Sequence, residues 1–168
     1  MLVERKANIT DLGFINGCVL YGARKGHYSF DAENQKIVTL MKQEIQSVVL
    51  RNELLDKRRA FASIFTLNNK RIGLLILSED CLNGDGIELY AMSILKKHQN
   101  KGYASQLLNN MLNYYVHENI YARCSLNSEK MAQLLYRRGF RLDSIDGEYN
   151  VLIRDAIADH DLNRCSAV

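Results

Sequence analysis

The 168-residue chain contains no proline, an absence with no functional reading of its own. Other absences exclude more. No apolar run approaches the roughly 18 residues that a membrane-spanning helix needs, so no membrane partner is expected. The four cysteines (Cys18, Cys81, Cys124 and Cys165) stand far apart and form neither a C-x-x-C pair nor a Cys/His metal pattern. They read as reduced thiols, and no metal is expected. Two well-known phosphate loops, G-x-G-x-x-G and G-x-x-x-x-G-K-S/T, occur nowhere. Excess charge is scarce too: 22 Lys and Arg against 19 Asp and Glu leave a net +3, too weak and too evenly spread to argue for nucleic acid. No repeat, low-complexity segment or linker divides the chain. What is present is an ordinary soluble balance, 47% hydrophobic and 24% charged, at a length suited to one domain with a real core.

The stretch Gly86 to Tyr115 organises the rest. Ile87–Ile94 has apolar residues on both parities and one acid, Glu88, which fits a strand buried on both faces. A basic run follows, Lys96, Lys97, His98, Gln99, Asn100 and Lys101, and then the small-residue turn at Gly102 and Ala104. An amphipathic helix begins at once, with Tyr103, Leu107, Leu108, Met111, Leu112 and Tyr115 on its apolar face. Strand, small-residue loop and helix start make an anion site, because the first helical amides lack internal partners and carry the positive dipole end.

Before this stretch, Leu2–Lys6 reads as a short strand. Thr10 or Asp11 caps a helix to about Arg24 that turns Leu12, Ile15, Cys18 and Val19 inward. Asp31 caps a second helix to about Leu50, with the face Ile37, Leu40, Met41, Ile45, Val48 and Val49. Arg59–Leu67 and Ile72–Leu77 form a hairpin turning at Asn68 to Arg71. A looser turn spans Asn83 to Gly86. After it, Tyr121–Leu126 is a strand expected parallel to the central one, since a helix makes the crossover. Asn127 or Ser128 caps a helix that Gly139 stops. A last hairpin turns around Gly147. The domain is expected to span residues 1–154, with 155–168 a loose tail or short helix.

Gln99-Asn100-Lys101-Gly102-Tyr103-Ala104 matches R/Q-x-x-G-x-G/A, the acetyl-CoA pyrophosphate motif of the GNAT superfamily of N-acetyltransferases, and the chain resembles that family over most of its length. The resemblance implies an α/β (α+β) single domain, a mixed, mostly antiparallel sheet splayed between two parallel strands and flanked by about four helices. It also implies acetyl-CoA as co-substrate. Its diphosphate would lie on Gln99, Asn100, Lys101, Gly102, Tyr103, Ala104 and Ser105, its pantetheine along Met92, Ser93 and Ile94, and Asn127 would contribute from the next helix start. In this family the segment between the first two helices walls the acceptor pocket, so His27, Tyr28 and Phe30 are candidate substrate contacts. The same aromatics would equally pin that loop to the core.

Transfer to an amine requires removing a proton from an ammonium, which costs roughly 4–5 kcal/mol at pH 7 unless a base assists. Glu88, the sole acid of an apolar strand, is the candidate base, its strand environment expected to favour the protonated form. It stands eleven residues before Gln99, the offset at which histone-type members carry a glutamate base. A structural salt bridge is the competing role. Tyr136 is the candidate acid for the thiolate, because Ala132 to Phe140 resembles the family's N-x-x-A-x-x-L-Y-x-x-x-G-F. Glu129 replaces the asparagine, and two residues rather than three separate Tyr136 from Gly139. Anchoring on Gly139-Phe140 instead would put Leu135 in the tyrosine's place and Ser128 in the asparagine's. Cys124 reads as a packing cysteine, not a nucleophile. The expected activity is direct acetyl transfer to a primary amine of a small molecule, peptide or protein, by a monomer or homodimer in the bacterial cytoplasm. The alternative is an acyl-CoA-binding regulatory module without turnover.

Overall fold

The computed structural model describes residues 1–79 and 86–158. Seven strands, β1 (Leu2–Lys6), β2 (Ala60–Leu67), β3 (Lys70–Glu79), β4 (Ile87–Ile94), β5 (Ile120–Ser125), β6 (Arg141–Asp146) and β7 (Tyr149–Arg154), form one sheet in the order β1-β2-β3-β4-β5-β7-β6. Every neighbouring pair is antiparallel except β4 with β5. Four helices cover it: α1 (Leu12–Arg24), α2 (Gln35–Arg51), α3 (Tyr103–Tyr114) and α4 (Glu129–Tyr136).

The central strands are apolar on both parities because both faces are covered. Leu75, Leu77, Leu89 and Ala122 pack against Leu107, Leu108, Met111 and Leu112 of α3 and Ala132 and Leu135 of α4. On the other face Ile64, Leu74, Ile76 and Ala91 meet Ile15 and Val19 of α1 and Ile45 and Val48 of α2. The α2 face is rotated from the sequence expectation: Val38 is buried and Leu40 exposed.

Helix starts differ from expectation in an instructive way. Asn8, not Thr10 or Asp11, caps the chain's first turn, a 3-10 turn at Ile9–Asp11 that leads into α1. Asp11 is fully buried, takes two hydrogen bonds from Arg5 at 2.7 and 2.8 Å, and lies 2.8 Å from Arg71 Nε. Asn34 caps α2, accepting from the amides of Lys36 and Ile37, while Asp31 closes the preceding turn on the Glu33 amide. Ser128 stands before α4 but makes no side-chain cap, its hydroxyl being engaged elsewhere.

The β2–β3 turn is only two residues, Asn68 and Asn69, both left-handed (φ 50° and 62°), so β3 begins earlier than expected. At the end of α4 the amide of Phe140 bonds to Leu135 O and that of Gly139 to Tyr136 O, with Gly139 at φ +82°. This is a Schellman stop. The Asn83–Asp85 part of the expected turn, Cys81, and the tail from residue 159 on, Cys165 included, lie outside the described residues. The start of the tail is tied down by Ala156 N to Asn119 Oδ1 and Ile157 N to Val116 O, both 2.9 Å.

What positions a site is the fork in the sheet. β4 pairs with β3 as far as Ile94, but its pairing with β5 ends at Leu89↔Ala122. Tyr90 is bulged out of register there, between Leu77↔Leu89 and Ile76↔Ala91. A bulge bends and twists its strand, and here it sits where β5 leaves.

Candidate active site

Beyond the fork, the chain leaves β4 through a short 3-10 turn, Lys96–His98, and enters α3. Gln99 Nε2 donates to Ile94 O at 2.8 Å, fastening the loop to the strand end. Asn100 (φ 58°) and Gly102 (φ 80°) take left-handed backbone, which glycine adopts without strain. Gly102 is the N-cap residue, and no side chain caps α3. A Cβ built on Gly102 would meet nothing within 4 Å, so the approach to the first amides is open. The field there is positive. His98 is held below the usual imidazole range first by burial and then by repulsion from Lys97 and Lys101. Uncapped amides, an open approach and three lysines fit a diphosphate, and residues 99 to 105 are thus brought together at one point.

Met92, Ser93 and Ile94 lie on the part of β4 that pairs with β3 alone, facing the opening with one strand edge. Backbone groups there suit an extended, amide-bearing chain such as pantetheine. Cys18 of α1 is buried, and burial pushes its thiol up. The bulged Tyr90 donates to Glu44 Oε1 of α2 at 3.4 Å, and burial with the Glu44 and Glu88 charges pushes its phenol up to about 12.

Glu88 sits just inside the fork and is buried. Its Oε1 accepts from Arg123 Nε and Nη2 at 2.9 and 2.7 Å, and its Oε2 from Arg58 Nη1 at 3.2 Å. Both carboxylate oxygens are engaged by guanidinium groups. Neither arginine was singled out from the sequence. Arg123 was findable, as the lone basic residue on the strand expected beside Glu88, but Arg58 lies thirty residues away in a loop with no signal.

The α1–α2 loop crosses to the β5 side of the opening. Ser125 Oγ, at the last residue of β5, donates to Gly26 O at 2.7 Å. Ser125 Oγ also lies 3.1 Å from Ser128 Oγ, which lies 3.0 Å from His27 Nδ1. Asn127 is drawn into the same contact: its Nδ2 is 3.5 Å from Gly26 O, and its side chain fills the space where a Cβ on Gly26 would stand. Tyr28 stacks with Phe30 at 6.3 Å between ring centroids, and both pack against the α1/α2 core. Burial raises the Tyr28 phenol, helped by the neighbouring Cys18, Tyr90 and Tyr149 groups. His27 is exposed. The two aromatics therefore anchor the loop to the core, while His27 faces outward.

Tyr136 ends α4, is 43% exposed and has, among the described residues, no partner for its hydroxyl. Leu135 is fully buried under α3. Of the two residues that could occupy the tyrosine position, only Tyr136 is open to a ligand. Cys124 is buried and its thiol is pushed up to about 11 by burial, unsuited to nucleophilic work. Among the described residues no group of three or more His, Cys, Asp or Glu is placed to hold a metal ion. No helix among them is long and apolar enough to cross a membrane.

This arrangement, a sheet forked between two parallel strands with an uncapped helix start beyond the fork, is that of an acyl-CoA-dependent acetyltransferase. The model of the Acetyltransferase (GNAT) family matches residues 27–140, and the chain belongs to that family. Among curated proteins no relative matches the sequence. Solved structures share the fold at low identity. A spermidine N-acetyltransferase from Vibrio cholerae, in complex with CoA and spermine, is 20% identical over 90% of this chain and 92% of its own, with TM-score 0.66. A PaiA N-acetyltransferase from Thermoplasma acidophilum, in complex with coenzyme A, is 14% identical over 92% and 99%, with TM-score 0.68. An aminoglycoside acetyltransferase in complex with coenzyme A and kanamycin is 11% identical over 99% and 100%, with TM-score 0.70.

Proposed function

We propose that the protein transfers an acetyl group from acetyl-CoA directly to a primary amine. The observation that carries this reading is the fork: β4 continues to Ile94 after its pairing with β5 has ended at Leu89↔Ala122, leaving a strand edge that leads to the uncapped start of α3. The co-substrate supplies the activated acetyl thioester. The amides of Gly102 to Ser105, with Lys101 and the Gln99-braced loop, would hold its diphosphate, and the β4 edge at Met92, Ser93 and Ile94 its pantetheine. Asn127 would add a contact from the α4 side. His27, Tyr28 and Phe30 would line the acceptor side. Relatives solved with spermine and with kanamycin support an amine acceptor. Peptide N-termini, lysine side chains, polyamines, aminoglycosides and small amino acids are the classes to test. Buried free thiols at Cys18 and Cys124 support a reducing, cytoplasmic setting.

In this reading Tyr136 protonates the departing thiolate and Glu88 accepts the amine proton. The double guanidinium clamp on Glu88 favours a second reading of that residue alone. There the carboxylate fixes Arg123 and the fork, and the proton goes elsewhere. The test of the reaction is incubation with acetyl-CoA and a panel of amines, following free thiol and the mass of the amine products. Thiol released in step with an acetylated amine is the expected result. Cofactor binding with no thiol above background hydrolysis, across the panel, would make the protein a CoA-binding module.

A further inference from the structure

The α1–α2 loop, the end of β5 and the start of α4 meet in a chain of hydrogen bonds whose direction is fixed at one end. Gly26 O has no hydrogen to give, so Ser125, 2.7 Å away, must donate to it. A hydroxyl carries one hydrogen. Ser125 Oγ can therefore only accept in its 3.1 Å contact with Ser128, which spends the Ser128 hydrogen. Ser128 Oγ in turn can only accept from His27 Nδ1 at 3.0 Å. The neutral imidazole is thus held with its hydrogen on Nδ1, and its Nε2 lone pair is left bare. Among the described residues Nε2 has no hydrogen-bond partner, and the ring is exposed at the rim of the fork. Solvated imidazole favours the opposite tautomer. The backbone makes the loop hold this place: Gly26 is left-handed at φ +73° and packed against the Asn127 side chain.

We propose that His27 is the proton acceptor for the amine, with Ser128 and Ser125 as positioning residues that present Nε2 to it. The proposal rests on the acetyl-transfer reading and on the second of its two readings of Glu88. Imidazole is suited to proton transfer near neutral pH. The ammonium loses two protons overall. One N–H bond breaks to Nε2, and the imidazolium returns that proton to water. The nitrogen pair so released forms the C–N bond as the C–S bond breaks, and the second proton ends on the CoA thiol. Two side chains about a hundred residues further along the chain, Ser128 and Ser125, orient the imidazole, as the orienting partner does in other base-assisted transfers. Glu88 then need not leave its arginines.

Two measurements test this. Nitrogen-15 NMR of histidine-labelled protein, at a pH where the ring is neutral, should show His27 protonated on Nδ1 and bare on Nε2. Ser128→Ala should return it to the Nε2–H form. An Nε2–H ring in the unmodified protein would overturn the proposal, and this arm needs no acceptor. With the amine found by the panel, His27→Ala should lower kcat by roughly 10²-fold and leave CoA affinity by calorimetry unchanged. Added imidazole should recover part of the loss, which a purely structural residue would not show. Unchanged turnover, or a loss that imidazole leaves untouched, would overturn the proposal. Failure of every amine in the unmodified protein would instead overturn the acetyl-transfer reading on which this assignment rests.

Discussion

Arg123 reaches back across the parallel pair to Glu88, donating from Nε and Nη2 to one carboxylate oxygen at 2.9 and 2.7 Å. Glu88 pairs with Tyr121, so Arg123 sits one residue beyond the last position at which β5 pairs with β4 and ties the departing strand to the fixed one. Arg58, from the loop before β2, closes on the other oxygen and on Glu79 O. The opening is therefore pinned at its apex by charge.

Glu88→Gln decides what this clamp does. The substitution keeps the shape and leaves two partly buried guanidinium groups without their carboxylate. A loss of about 2–4 kcal/mol is expected, below the full cost of breaking a wholly buried pair because the arginines are partly solvated. Denaturant unfolding measures it. Turnover should fall less than in His27→Ala, with the acidic limb of the pH–rate profile retained. Disappearance of that limb would return the base role to Glu88.

Gly102 and Gly139 make a matched pair for testing the anion site. Both are left-handed, at φ +80° and +82°, and in both a Cβ would meet nothing within 4 Å. Alanine at either position should cost roughly 1–2 kcal/mol of backbone strain. Only Gly102 stands before the uncapped amides of α3. CoA affinity by calorimetry should drop about tenfold or more, roughly 1.4 kcal/mol or more, in Gly102→Ala and stay unchanged in Gly139→Ala. Equal affinities would remove the diphosphate from this loop.

The sequence was most legible where one local pattern had no rival. β4 spans Ile87–Ile94 as the pattern predicts, because burial on both faces leaves no rival reading of that run. The Gln99–Ala104 loop and the Gly139 stop are likewise local devices. Helix caps differ from expectation because polar residues at neighbouring positions compete: the Asn8 side chain takes the cap, and Asp11 closes the capping box on the Asn8 amide while also accepting from Arg5 and lying beside Arg71. Non-locality hid the site's wiring. Glu88 was visible as a lone acid, but its clamp depends on a strand register that periodicity leaves open. His27 meets Ser128 across 101 positions, with nothing in either neighbourhood to announce the contact.

Asp11 makes a prediction with a definite sign. Its carboxyl is held below the usual range, chiefly by hydrogen bonds from Arg5, against the upward push of burial. A depressed folded-state value means that the unfolded chain binds the proton more readily. The contribution to stability is therefore full above the unfolded value near 4 and is lost as pH falls through the folded one. Asp11→Asn should cost about 2–4 kcal/mol at pH 7. The gap between variant and parent should narrow as pH is lowered below about 4. A gap that stays constant to low pH would show that shape, rather than charge, makes Asp11 matter.

Tyr136 tests where the thiolate goes. Leu135 is sealed in the core, whereas Tyr136 lies at the last position of α4 as a 43% exposed residue, open to a ligand. The Schellman stop at Gly139 follows it after only two residues, and holds the helix end in place through the Phe140 and Gly139 amides. A fixed helix end is what a positioned acid needs, because turnover depends on the hydroxyl meeting the sulfur as the C–S bond breaks. Tyr136→Phe removes one oxygen and leaves the ring. Acetyl-CoA affinity should barely move, while kcat and kcat/KM fall together by roughly 10²-fold, since the interaction exists only in the transition state. Leu135→Ala is the contrasting variant and should act through stability, costing about 2–5 kcal/mol as a buried leucine. Near-normal turnover in Tyr136→Phe would mean that the short helix end carries the tyrosine past the sulfur and that the thiolate takes its proton from water.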